Sequence, residues 1–244
     1  MRLFLALMFA GICMAGNTQN SLSPSNNSFE NKWVKNTQYQ MAWYVLKDTT
    51  NIEIGNVTTQ ISVNNKTLTV VTGVSMKNAK GPWVDSTIAN VKTLQPVRHA
   101  SYNMQRDMVL NFGKIVTGFY NNKIKNSSTA ISDTTNSDYF DSNLYPLLIG
   151  WLPLENNYKQ DISIYDYNPS AKIGVLKASV KHVTSGVYTS DKNGIRNVWI
   201  VTVTDEISNG PNDSSVYYFD KTDRRLWKQE INISGRKMMM KLVE

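Results

Sequence analysis

Asp141-Ser142-Asn143-Leu144-Tyr145-Pro146-Leu147-Leu148-Ile149-Gly150-Trp151-Leu152-Pro153 is the one stretch of this chain that reads clearly as a helix. Leu144, Leu147, Leu148, Trp151 and Leu152 fall at the i, i+3, i+4, i+7, i+8 spacing of one helical face, and Ile149 and Gly150 leave the opposite face uncharged. Asp141, Ser142 and Asn143 compete as caps, since each offers a side-chain oxygen to the free amides of a first turn. Pro146 is tolerated only where an amide proton would go unbonded, which moves the cap towards Asn143, and Pro153 ends the element. A helix over residues 143–152 is too short to persist alone and apolar nearly all round, so it must be covered by the rest of the fold.

Outward from it, almost everything reads as strand and turn. Before the helix, residues 40–46, 52–63 and 66–76 form a meander, with Gly55 marking a bulge or bend and Asn64-Asn65 a tight turn. Residues 83–91, 97–104 and 108–120 supply further short strands, and the Ser/Thr-rich stretch up to Asn136 reads as an exposed connection. After the helix, strands are expected at 160–167, 174–183, 197–205, 215–220, 226–233 and 236–243, with turns at Asn168-Pro169, Asp191 to Gly194, Asn209 to Pro211, Asp220 to Asp223 and Ser234-Gly235. Trp227, Ile231 and Ile233 alternate with Lys228, Glu230 and Asn232, as in a sheet with one wet side. The expected fold is mainly β, a strongly curved antiparallel sheet or half-open β-barrel with one short apolar helix packed on it.

The N-terminus is of another kind. MRLFLALMFAGICMAG, residues 1–16, carries one positive charge at Arg2 and an apolar run ending in small residues, the pattern of a secretory signal peptide and too short for a membrane span. Residues 17–31, rich in Asn and Ser and carrying Pro24, read as a disordered leader, and residues 32–244 as a single β-rich domain. Cys13 is the only cysteine, so a mature chain would hold no disulfide and must be stabilised by its core. Anchoring as a lipoprotein through Cys13 is disfavoured by Ile12, which stands where that pattern wants a small residue. The expected location is therefore periplasmic or secreted.

The formal charge of +7 and pI near 9.3 permit attraction to anionic surfaces. The basic residues are scattered singly along strands without interleaved aromatics, which argues against nucleic-acid binding. His99 and His182 are the only histidines, too few for an ordinary zinc or copper site, and each reads as a surface or hydrogen-bonded strand residue. Asp133, Asn136, Asp138 and Asp141 are oxygen-rich but lack the spacing of a calcium loop. No Gly-x-Ser-x-Gly occurs, Ser234 and Lys237 sit in a hairpin turn, and Asp205 and Glu206 point to opposite faces of a strand, so no catalytic machinery is visible. No metal and no cofactor is expected.

What remains is an apolar constellation that includes Trp43, Trp83, Tyr145, Leu148, Trp151, Trp199, Trp227, Met238 and Met240. Large aromatic and thioether side chains suit an apolar ligand, and they equally build any β core. Trp83, Tyr145, Leu148 and Trp151 are the candidate ligand-binding residues, with Arg98 as a cation for an anionic group at a cavity rim and Arg106 as a second. Two readings stand side by side: a non-enzymatic envelope protein that binds a lipid or other apolar ligand under the helix, and a structural or interaction protein with a filled core that docks an envelope partner.

The connection ending at Asp141, the segment LYPLLIGWLPL, the paired ending Tyr217-Tyr218-Phe219-Asp220 and Asp223-Arg224-Arg225-Leu226-Trp227, and the terminal hairpin together resemble the uncharacterised envelope-protein family of unknown function numbered thirty-one hundred and eight. The likeness runs from about Trp33 to the C-terminal residues. Members look like lipoprotein carriers of the Lol type, in which a half-open β-barrel with helices on its concave side shelters acyl chains. The resemblance implies that fold and an apolar cavity, and no catalytic residues. This chain departs from it in having one clear helix.

Overall fold

The computed structural model describes residues 20–244 apart from residues 80, 209 and 211, so the signal peptide expected over residues 1–16 lies outside the described residues. Eight strands follow one another on the first side: β1 (Thr37–Lys47), β2 (Thr50–Val63), β3 (Thr67–Met76), β4 (Trp83–Asn90), β5 (Pro96–Tyr102), β6 (Arg106–Asn111), β7 (Ile115–Asn122) and β8 (Ser127–Thr134). The short β9 (Phe140–Asp141) leads into the helix α1 (Tyr145–Trp151). Six more strands complete the fold: β10 (Gln160–Tyr167), β11 (Ile173–Ser190), β12 (Gly194–Asp205), β13 (Ser214–Asp220), β14 (Leu226–Ile233) and β15 (Arg236–Leu242).

All strands belong to one sheet of order β8-β7-β6-β5-β4-β3-β2-β1-β15-β14-β13-β12-β11-β10-β9. Each half is a meander of sequence neighbours, and the β1–β15 pairing, with Met41 opposite Leu242 and Trp43 opposite Met240, stitches the halves together. Among the described strands the β9–β10 pairing alone is parallel, because α1 lies in the connection between them. Gly55 does sit beside a bulge, where the β1–β2 register shifts between Trp43 and Tyr44. A side chain on Gly55 would run into the Ser75 carbonyl oxygen.

The sheet curls until its outer strands meet through side chains. Tyr165 Oη on β10 donates to Asp133 Oδ2 on β8 at 2.9 Å, and Met108, Val116 and Ile131 pack with Tyr139, Tyr165 and Tyr167 in one apolar cluster. Among the described residues no ladder joins β8 to β9, so the barrel stays open along that seam. The mainly β fold with a curved sheet and one short helix is as the sequence reads.

Leu144, Leu148, Ile149 and Leu152 are fully buried, in one cluster with Ile162, Ile164, Val180, Val201 and Phe219. Burial of this order, about 1.5–3 kcal/mol per large apolar side chain, is what holds a seven-residue helix that could not form by itself. The helix is shorter than the expected 143–152, and Asn143 is not its cap. Leu144 stands at the N-cap position with no side-chain cap, while Asp141 tightens the preceding turn by accepting the amides of Asn143 on its side chain and Leu144 on its carbonyl. The Asn143 side chain is used elsewhere, donating to Thr87 Oγ1.

Two expectations need correction. The Ser/Thr-rich stretch before Asn136 is not an open connection but contains β8, whose exposed polar side chains suit an outer strand. The described part of the supposed disordered leader is packed. Leu22 bridges Ile162 in parallel, with its amide on the Asp161 carbonyl at 2.7 Å, where β9 no longer covers β10. Phe29 is buried in the main core, and the Glu30 amide donates to the Trp151 carbonyl at 2.8 Å, satisfying one of the free acceptors at the end of α1. Asn and Ser dominate this segment, yet two apolar anchors suffice to strap it across the helix.

Candidate functional site

Period two along the strands sends alternate side chains to the concave face, and cross-strand register sets them side by side. Thr72, Thr59 and Tyr39 stand opposite one another across β3, β2 and β1; Val57, Met41 and Leu242 across β2, β1 and β15; Met240, Gln229 and Tyr217 across β15, β14 and β13. These residues form the floor of a groove of about 800 Å³. Its wall is the open side of α1, presented by Pro146, Leu147, Gly150 and Trp151, with Phe219 at the junction. A Cβ on Gly150 would lie 2.7 Å from the Phe219 ring, so glycine is what lets helix and sheet close up there. Trp33, delivered by the strap, completes the rim.

One end of the groove is basic. Lys35, Lys192, Arg224 and Arg225 line it against the carboxylates of Asp223 and Glu244. Glu244 is occupied within the fold, accepting from Ser190 Oγ, the amides of Asp191 and Lys192, and Asn193 Nδ2, and these hydrogen bonds hold its carboxyl down at about 2.

Arg224 is carried by the β13–β14 turn, which is built on Asp220. Burial alone would raise the Asp220 carboxyl, but donation from Thr222 Oγ1 and amide, Arg196 Nε and Trp227 Nε1 outweighs it and brings the group to about 2. The Asp220 carbonyl accepts the Arg224 amide at 3.0 Å, fixing Arg224 at φ +62°. The Arg224 side chain is only 7% exposed and lies 5.1 Å from the Trp33 ring.

A second, smaller cavity of about 240 Å³ lies near the start of α1 and is polar, lined by Asp85, His99, Arg106, Asp141 and Asp166 among others. His99 Nδ1 donates to Asp141 Oδ2 at 3.0 Å, and Thr87 Oγ1 donates to the same oxygen at 2.5 Å. Burial alone would lower His99, yet the charge and hydrogen bond of Asp141 prevail and raise it. Burial likewise raises Asp166, against the hydrogen bond from Ser142. Since the Thr87 hydroxyl gives its proton to Asp141 and its oxygen stands 3.4 Å from His99 Nδ1, the cluster lacks the hydroxyl-to-imidazole donation of a base-activated nucleophile. Among the described residues no group of three His, Cys, Asp or Glu side chains is placed to hold a metal ion.

Of the candidates read from the sequence, Trp151 lines the groove. Tyr145 and Leu148 belong to the core on the other side of α1, where Tyr145 Oη donates to Asp205 Oδ2 at 2.5 Å and pins the helix to the end of β12. Trp83 and Arg98 lie on β4 and β5 and line neither cavity. Arg106 lines the polar cavity. Sequence reasoning missed Arg224 and Trp33. The Asp220-to-Asp223 turn signal pointed at the right loop, but a turn pattern says nothing of which side chain folds inward.

No helix among the described residues is long and apolar enough to cross a membrane. No curated protein and no solved structure matches this chain, so the likeness to Lol-type carriers rests on the residues quoted above. Residues 38–241, which reach into every strand and include the helix, match the family described as "Protein of unknown function (DUF3108)", and the chain belongs to that family.

Proposed function

We propose that this is an exported, non-enzymatic protein of the cell envelope, periplasmic or secreted, that binds a lipid-like or other apolar ligand in the groove between the curved sheet and α1. One observation carries the reading: an apolar-walled groove of about 800 Å³ beside a helix whose other faces are consumed by the core. A volume of that order is in the range of ligand sites, and a floor in which Met, Val, Leu and Tyr outnumber Thr59, Thr72 and Gln229, set against a wall of Leu, Trp and Phe, suits an alkyl chain better than a polar substrate. The export segment of residues 1–16 supports the location. Leu148 faces filled core rather than a void, which favours a second reading in which the helix is structural and the concave face docks an envelope partner.

The deciding experiment is native mass spectrometry of the protein purified from its own envelope, followed by organic extraction. A stoichiometric apolar molecule is expected, with its retention weakened by Leu147→Asp. A clean apo mass together with no uptake of added fatty acid would overturn the reading in favour of the docking protein.

A further inference from the structure

Arg224 is the feature of the groove that an apolar ligand alone leaves unexplained. Its side chain is 7% exposed, and its Nε and Nη1 are buried without a hydrogen-bond partner. The remaining nitrogen, Nη2, reaches Glu30 Oε2 only at 3.5 Å. That carboxylate is already served at 2.7 Å on each oxygen, by Lys32 Nζ on one and Trp33 Nε1 on the other. Burial lowers the affinity of the guanidinium for its proton, with Glu30 compensating in part. A buried, under-satisfied guanidinium is costly, and this one lines the groove with only the Trp33 ring and the edge of Glu30 for company.

Resting on the groove as a ligand site, we propose that its occupant is an amphiphile with an anionic head, a carboxylate or a phosphate, held by Arg224 while the chain lies against Met41, Phe219 and Trp151. A permanently charged guanidinium suits either head, and the surrounding excess of cationic over anionic side chains favours both. A neutral lipid would bring no counter-charge to this buried cation.

The test compares palmitate, lysophosphatidic acid and hexadecanol, each below its micelle threshold, by titration calorimetry on the full chain near neutral pH. At least one acid is expected to bind about tenfold or more tighter than hexadecanol, the size of one charge-assisted hydrogen bond. Which acid is preferred identifies the head. Arg224→Gln should abolish that preference while hexadecanol binding persists, and Arg98→Gln, outside the groove, should leave it intact. Should the glutamine variant not fold, Arg224→Met, which keeps much of the side-chain bulk and removes the charge, is expected to abolish the preference. Equal affinity for acids and alcohol, or a preference unchanged in the Arg224 variant that folds, would overturn the anionic-head assignment and leave the apolar groove standing. Binding of none of the three probes would overturn both.

Discussion

His99 is nine-tenths buried yet rests on a carboxylate, and the balance between those two facts sets a pH dependence. Desolvation pushes the imidazole down, Asp141 and Asp85 pull it up, Arg106 opposes them, and the net direction is above its ordinary 6.5. A folded state that binds the proton more tightly than the unfolded chain is stabilised fully below 6.5 and loses that contribution as pH rises through the folded value. Asp166, raised by burial, acts in the same sense but at lower pH, since its effect begins above the ordinary carboxylate range. Urea unfolding from mildly acidic to mildly alkaline pH should therefore show wild-type stability falling above pH 6.5, and His99→Gln should flatten that decline. Parallel slopes for both proteins would rule out the His99–Asp141 pair as the cause. None of this was legible in the sequence, where His99 and Asp141 stand 42 positions apart and a lone strand histidine reads as unremarkable. Pairing within the meander puts Thr87 opposite His99, and the curl of the sheet then brings in Asp141.

Among the elements, the strap over α1 separates composition from structure most sharply. Residues 20–34 are mostly polar, and averaged hydropathy hides the fact that Leu22 and Phe29 reach the core. Phe29→Ala is expected to cost about 3 kcal/mol, the usual penalty for emptying a buried aromatic site, read as a lowered urea midpoint with unchanged slope. A change within a few tenths of a kcal/mol would restore the picture of a passive leader. The helix was legible because its apolar spacing is a local property, and so were most strands, whose turns announce themselves through Asn, Asp, Gly and Pro. Its length was less legible, because Asn143 and Leu152 obey tertiary demands: Asn143 bonds Thr87 across the sheet, and Leu152 leaves the helix in extended backbone while staying fully buried. Strand β8 was hidden by its Ser and Thr content, which matches a loop as well as an outer strand with a single hydrogen-bonded neighbour.

For the molecule as a whole, the sheet is closed by side chains where a barrel would be closed by a ladder, and its stability should grade accordingly. The β1–β15 junction has a hydrogen-bonded neighbour on either side, whereas β8 pairs only with β7 and presents a mostly exposed surface. At β8, contact across the seam rests on the Tyr165–Asp133 hydrogen bond and on the cluster around Ile131, Tyr139 and Tyr165, while Tyr139 Oη on the Gly113 carbonyl and His99 and Thr87 on Asp141 tie the far side to strands further in. Burial, with Asp133 adding to it, holds the Tyr165 hydroxyl in its protonated, donating form far above neutral pH. Local opening should then begin at β8 while the groove strands stay paired. Tyr165→Phe deletes the bond and keeps the ring. Amide exchange in β8 is expected to accelerate by about fivefold to tenfold, equivalent to the 1–1.5 kcal/mol of one hydrogen bond, while β1 and β15 exchange at wild-type rates. Acceleration spread evenly over all strands would instead mean that the sheet opens as one unit, and that the groove cannot keep its shape while the seam parts.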